Sequence, residues 1–188
     1  MKIGITGGIG SGKSYVCQRL KAKGIEVFDC DTEAKKLMRT SPQIREQLIE
    51  LIGNEAYDSE GNLNKAVVAE FLLSSWRNAK AIDAIVHPAV FKAFDNSGLE
   101  YMESAILFNS GAHRHVDKVM CVIAPKETRI QRVMERDNIS REQVEDWMKR
   151  QLDQKEMIRK SDYIVINDGE QDIDKQLNKI IKKCNKQS

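Results

Sequence analysis

The stretch Ile3-Gly4-Ile5-Thr6-Gly7-Gly8-Ile9-Gly10-Ser11-Gly12-Lys13-Ser14 decides how the rest of the chain is read. Its second part fits G-x-x-x-x-G-K-[ST], with Gly7 and Gly12 as the fixed glycines. The flanks give the motif its meaning. β-branched Ile3 and Ile5 precede it, while Val16 and Leu20, at helical spacing, follow it before Gly24. The order predicted is strand, phosphate loop, helix. A triphosphate needs many donors converging on a small volume, and such a loop supplies them from its own backbone. Gly8 and Gly10 keep side chains out of the way, Ser11 lies between them and Gly12, and the helix that starts near Gly12 offers unpaired amides. Lys13 adds a mobile charge for the outer phosphates, and the Ser14 hydroxyl suits magnesium. These residues establish an expectation of nucleotide and magnesium binding, but not of a particular reaction.

Further strands are predicted at Ile25–Asp29, Glu100–Phe108, Val116–Ala124 and Asp162–Ile166, beside the first at Lys2–Thr6. Several are apolar at consecutive positions, as befits strands covered on both faces of a parallel sheet. Helices alternate with them. Ser41-Pro42 offers a cap followed by proline in the first turn, and Ile44, Leu48, Leu51 and Ile52 form a stripe closed by Gly53. Ser140 with Gln143 makes a capping box, with Ile139 and Val144 as its apolar staple. Ile173, Leu177, Ile180, Ile181 and Cys184 line one face of a last helix. Alternation of this kind implies a doubly wound α/β fold with a five-stranded parallel sheet.

From Thr40 to about Asn96 the alternation stops, and only helical patterns appear. We therefore expect a core of 1–39 and 98–188 with a helical insertion over 40–97, in which Pro88 kinks or restarts a helix bearing Ile82, Ile85, Val86, Val90 and Phe94.

The second strand ends in Asp29-Cys30-Asp31. Ligands of open parallel sheets bind beyond the carboxyl ends of strands, where a carboxylate can take a proton from an attacking hydroxyl. Asp29 suits a helix cap and Asp31 the chemistry. Arg129, Arg132, Arg136 and Arg141 cluster around a helix end and the start of the next helix, within a stretch of about 126–150 that would serve as an arginine-bearing lid. Arg136 is the first choice among them; interleaved acids leave a solvated charged face as the alternative for any one arginine. Asp58-Ser59-Glu60-Gly61 matches D-x-x-G but lacks a preceding apolar strand, and no Asn-Lys-x-Asp occurs, which disfavours a guanine-reading switch.

Composition narrows the classes. Of 188 residues, 41% are hydrophobic and 31% charged, with a net charge of +2, so the chain can bury a core and lacks the basic excess of a dedicated nucleic-acid binder. No apolar run is long enough to span a bilayer. Four dispersed cysteines read as reduced thiols, and a cytoplasmic location is expected.

The ordered set of motifs resembles the dephospho-coenzyme A kinase family over essentially the whole chain. The residues that carry the resemblance are Ile5–Ser14, Gly24–Asp31 with its Asp-x-Asp, Val86-His87-Pro88, Arg132–Ser140, Gln151 and Asp162–Gly169. Membership would imply ATP- and Mg²⁺-dependent phosphorylation of the ribose 3′-hydroxyl of dephospho-coenzyme A, the last step of coenzyme A biosynthesis. It would place ATP phosphates on Gly10 to Tyr15, and make Asp31 the catalytic aspartate and Arg136 a lid arginine. Asn167 would lie near the adenine, and the helices around His87 would form the coenzyme A domain. The protein would act as a monomer or weak homo-oligomer on a small-molecule substrate, without nucleic acid or membrane. Three departures stand out: Tyr15 replaces a small hydroxyl residue, and Ala105-Ile106-Leu107-Phe108-Asn109 replaces a Pro-Leu-Leu-x-Glu segment at both its proline and its glutamate. The competing readings are another small phosphate-loop kinase of a nucleotide or metabolite, and a nucleotide-dependent regulatory switch without kinase activity.

Overall fold

A computed structural model describes residues 1–186. The strands are β1 (Ile3–Thr6), β2 (Val27–Asp29), β3 (Tyr101–Glu103), β4 (Lys118–Ile123) and β5 (Tyr163–Ile166). The helices are α1 (Lys13–Lys21), α2 (Cys30–Thr40), α3 (Pro42–Ile52), α4 (Lys65–Ser74), α5 (Trp76–Ser97), α6 (Lys126–Asp137), α7 (Arg141–Lys149), α8 (Gln154–Arg159) and α9 (Ile173–Cys184). The five strands form one sheet in the order β2-β3-β1-β4-β5. β1 pairs in parallel with β3 and β4, and β4 with β5, so Ile3 stands opposite both Tyr101 and Lys118.

The chain divides into two compact units, one of Met1–Phe28 with the stretch from Gly98 onward, the other of Asp29–Ser97. In the sheet unit, every residue of β1 is buried. Ile3 and Ile5 share a core with Val16 and Leu20 of α1, Met120 and Val122 of β4, Val165 of β5 and the apolar stripe of α9. Fully burying one such side chain contributes about 1.5–3 kcal/mol, so the central strand that carries the phosphate loop is firmly fixed. β3 is shorter than the apolar run Glu100–Phe108 suggests: it ends at Glu103, and turns follow from Ala105, with Leu107 buried there outside any strand.

In the helical unit, Ile44 and Leu48 of α3, Val68 of α4 and Ile82, Val86, Val90 and Phe94 of α5 are buried. α5 packs with α2, α3 and α4. The unit begins at Asp29 and so includes α2, whereas the sequence pattern put the start of the insertion near Thr40; α2 belongs with these helices because it packs on α3 and α5. Pro88 lies inside α5, which runs on without restarting. The missing proline amide leaves one helical carbonyl without its donor, and burial of Val86 and Val90 on either side holds the helix together across it.

Candidate functional site

The phosphate loop leaves the carboxyl end of β1 and runs into α1. Gly12 is the residue before α1 and is left-handed, at φ 89° and ψ 30°, a conformation that glycine adopts without a steric penalty. No side chain caps α1, so its first-turn amides remain available to an anion. Arg19 and Lys21, basic residues in the last turn of α1, complement the same dipole at its other end.

Lys13 is the first residue of α1, and its Nζ donates to the Gly7 carbonyl at 2.9 Å. Burial pulls its pKa below the usual lysine value; Glu103, last in β3, opposes that shift, and Arg129 and Arg136 reinforce it. The lysine thus sits where its charge is under-solvated, and phosphate oxygens arriving there would hold the proton on the amine. Ser14 follows, exposed, in the same turn. Ser11 is fully buried, and its Oγ has no partner.

Side chains distant in sequence fasten the loop. The Ile9 amide donates to Gln151 Oε1 at 2.7 Å, and its carbonyl accepts from Arg129 Nε at 2.9 Å. Arg129 is itself buried and also donates to Gln154 Oε1 at 3.1 Å. Asn167, just past β5 and buried, donates through Nδ2 to the Ser11 carbonyl at 2.9 Å. Arg132 Nη1 donates to the Asn167 carbonyl at 3.0 Å and reaches that of Gly10 at 3.5 Å. Ile9 packs its side chain against Ile130, Val133 and Val144 of α6 and α7. Arg129, Arg132 and Asn167 occupy loop carbonyls, while the Ile9 amide is held by Gln151 and the Ser11 amide by the Gly8 carbonyl at 3.1 Å.

Of the arginines singled out in the sequence, Arg129 and Arg132 therefore reach the loop. Arg136 ends α6 with its guanidinium on Asp137, at 2.8 and 2.7 Å, while its charge still bears on Lys13. Arg141 forms a bidentate pair with Glu127, both groups being solvent-exposed, and is the solvated face that the interleaved acids suggested. Gln151 as a loop fastener and Glu103 as the carboxylate bearing on Lys13 were not read as such from sequence; position at a strand's carboxyl end was the available signal for Glu103.

Beside the loop lies a cavity of about 540 Å³, lined by Gly12, Tyr15, Arg132, Asn167, Gly169, Gln171, Asp172, Ile173 and Asp174. Among the described residues, no group of three or more His, Cys, Asp and Glu side chains could hold a metal ion unaided.

Asp31 belongs to the helical unit. It stands two residues past the end of β2, in the first turn of α2, exposed and paired with Lys35 at 2.5 Å. Asp29 caps α2: its carboxylate accepts from the Thr32 amide at 3.0 Å and the Thr32 hydroxyl at 2.8 Å, which leaves Asp31 without a capping task. His87 Nε2 lies 3.4 Å from Asp83 one turn earlier in α5 and stacks on Phe91, a packing role. Asp58 folds back on the amides of Glu60 and Asn62 at 2.9 and 2.8 Å, so Asp58–Gly61 is a self-contained polar turn.

Comparison with known proteins agrees with this arrangement. The family model described as Dephospho-CoA kinase matches residues 1–172. A Dephospho-CoA kinase of Bacteroides fragilis is 39% identical over 188 residues, covering 96% of this chain and 91% of the relative. Among solved structures, a Thermus thermophilus protein superposes with a TM-score of 0.82 at 30% identity, over 96% of this chain and 95% of its own. A Dephospho-CoA kinase from Campylobacter jejuni, at 22% identity and a TM-score of 0.69, covers 99% of this chain and 98% of its own and supports the fold.

Proposed function

Since the chain belongs to the dephospho-CoA kinase family, we propose that it transfers the γ-phosphoryl group of ATP to the ribose 3′-hydroxyl of dephospho-coenzyme A, giving coenzyme A and ADP. The observation that carries this reading is the phosphate loop itself: an uncapped helix start beside a buried, under-solvated Lys13, fastened from outside by Arg129, Arg132, Gln151 and Asn167.

In this reading the amides of Gly10 to Ser14 bind the phosphate chain, and Lys13 neutralises charge on its outer groups. Ser11, Gly12 and Tyr15 contribute through their backbone amides, and Gly8 and Gly10 let the backbone come close. The exposed Ser14 hydroxyl fits Mg²⁺, which takes few protein ligands and completes its shell from phosphates and water. When bound, the ion supplies charge neutralisation across the phosphates. Asp31 orients the attacking hydroxyl and accepts its proton, and Arg136, with Arg132, steadies charge on the group in transfer. The helices of 40–97 hold the acceptor, and the α6–α7 segment within 126–150 is the lid. None of the four cysteines forms a disulfide, which suits a reducing compartment, and we place the protein's work in the cytoplasm.

The test is acceptor-dependent ADP release, with dephospho-coenzyme A, adenosine monophosphate and shikimate run side by side and the new phosphate located by NMR. Release with dephospho-coenzyme A, and phosphate at the 3′-oxygen, is the expected result. Faster turnover of either other acceptor assigns the enzyme to a different small kinase, and hydrolysis indifferent to every acceptor assigns it to the regulatory class.

A further inference from the structure

Tyr15 directly follows the phosphate loop, and its place in the structure gives it a use. The residue stands in the first turn of α1, three positions past Gly12, and its side chain is 48% exposed. Of the large exposed apolar side chains among the described residues, Tyr15 alone lines the cavity next to the phosphate loop. A small hydroxyl there would bear on the phosphates close to the backbone. A phenol reaches several ångströms farther, past the phosphates, and brings a flat π face to the cavity wall.

The side-chain amide donors and the carboxylates around this cavity are already engaged. Asn167 Nδ2 donates to the Ser11 carbonyl, and Gln171 Nε2 donates to Asp168 Oδ2 at 3.2 Å. Asp172 caps α9 through the Lys175 amide at 3.0 Å. Asp174 is held by Arg19 and by Lys23, at 3.1 Å for the latter, so its charge is compensated at the cavity's edge. With those donors spent on the fold, the flat groups left to face a heteroaromatic base are the guanidinium of Arg132, tethered through Nη1 to the Asn167 carbonyl, and the exposed ring of Tyr15, the aromatic one of the two.

We propose that Tyr15 is the stacking platform for the base of the nucleoside triphosphate donor, and that this base is bound by its face with little reading of its edge. The proposal rests on the reading of the loop as a nucleotide site. Stacking on an aromatic side chain is tolerant of base identity, because every base has a π face. The donor's base should therefore add affinity whether it is adenine or guanine.

Binding without any acceptor tests this, by calorimetry with Mg-ATP, Mg-GTP and Mg-tripolyphosphate on the full chain and on Tyr15→Ala and Tyr15→Phe. The expected result is that Tyr15→Ala weakens ATP and GTP alike, by about 5- to 150-fold, the range given by ~1–3 kcal/mol of stacking per base. Tripolyphosphate should bind both proteins equally, and Tyr15→Phe should match the parent. Tyr15→Leu, which keeps bulk without a π face, serves if the alanine variant does not fold. Four outcomes overturn the proposal: ATP binding no tighter than tripolyphosphate in the parent, unchanged ATP affinity in Tyr15→Ala, equal loss of tripolyphosphate, or loss confined to ATP. Because no acceptor is present, a failure here is distinct from a failure of the kinase reading, which shows only as missing acceptor-dependent ADP release.

Discussion

The two units of this protein are held by polar contacts of opposite reach. In the sheet unit the decisive hydrogen bonds join residues far apart in the chain: Ile9 with Gln151, 142 positions away, and Ser11 with Asn167, 156 away. In the helical unit they are mostly local, although the Tyr57 hydroxyl donates to the Met38 carbonyl 19 positions back at 2.6 Å. Asp31 meets Lys35, Asp29 meets Thr32, Asp58 meets Asn62, and Asn78 reaches back to Ser74. The contrast teaches where each unit is vulnerable. Local caps and pairs each guard one helix, whereas the loop's fasteners each guard the shape of a shared anion site.

The comparison is broken most decisively by a local residue whose loss is felt only in the chemistry. Asp31→Asn removes a base whose contacts are confined to its own helix, so stability should barely move. Turnover at saturating substrates should fall by roughly 10²–10⁴, with ATP affinity largely kept. Steady-state kinetics beside calorimetric ATP binding reads both quantities, and near-parental turnover would remove Asp31 from the base assignment.

Gly12→Ala probes the long-range fastening. A Cβ there would stand 1.9 Å from Asn167 Nδ2, on a backbone at φ +89°. Losing that buried hydrogen bond and straining the backbone should cost about 1–3 kcal/mol, seen as a lower Tm, together with weakened triphosphate binding. Equal stability with intact binding would show the Asn167 tether to be dispensable.

The smallest expected effect comes from Ser41→Ala. Ser41 caps α3 through the Ile44 amide at 3.4 Å, with Pro42 behind it. About 1 kcal/mol should be lost, with hydrogen exchange quickening in α3 and the loop's nucleotide affinity unchanged. A drop in nucleotide affinity would mean that the local unit is less local than its hydrogen bonds indicate.

This split also explains what could be read from the chain alone. The loop, the parallel strands, the Ser41-Pro42 start and the Ser140–Gln143 capping box are consequences of short-range chemistry, and the structure has each of them. Gly53 ends α3 as its pattern indicated. What sequence hid were effects of tertiary context. Leu107 looks like strand but fills a turn's buried interior, and Pro88 looks like a break but is carried by its packed neighbours. Gly10 is required by its own turn, at φ +75°, and also by Arg129, whose backbone oxygen lies 2.4 Å from where a Cβ would be. The candidate site was legible as a phosphate loop with nearby arginines. Which arginines touch it was not, because α6 presents Arg129 and Arg132 to Ile9, Gly10 and Asn167 only once it is docked.

The fasteners of the loop have a consequence in time. Residues 7–14 leave the ribosome well before the groups that shape them, which come from positions 129, 132, 151 and 167. Their central strand, β1, likewise waits for β3 and β4 on either side. The nucleotide site is therefore begun long before it can be finished. A nascent chain short of Asn167 carries the complete motif but lacks that residue's tether to the Ser11 carbonyl, so the loop's support is completed only after the chain has grown past β5.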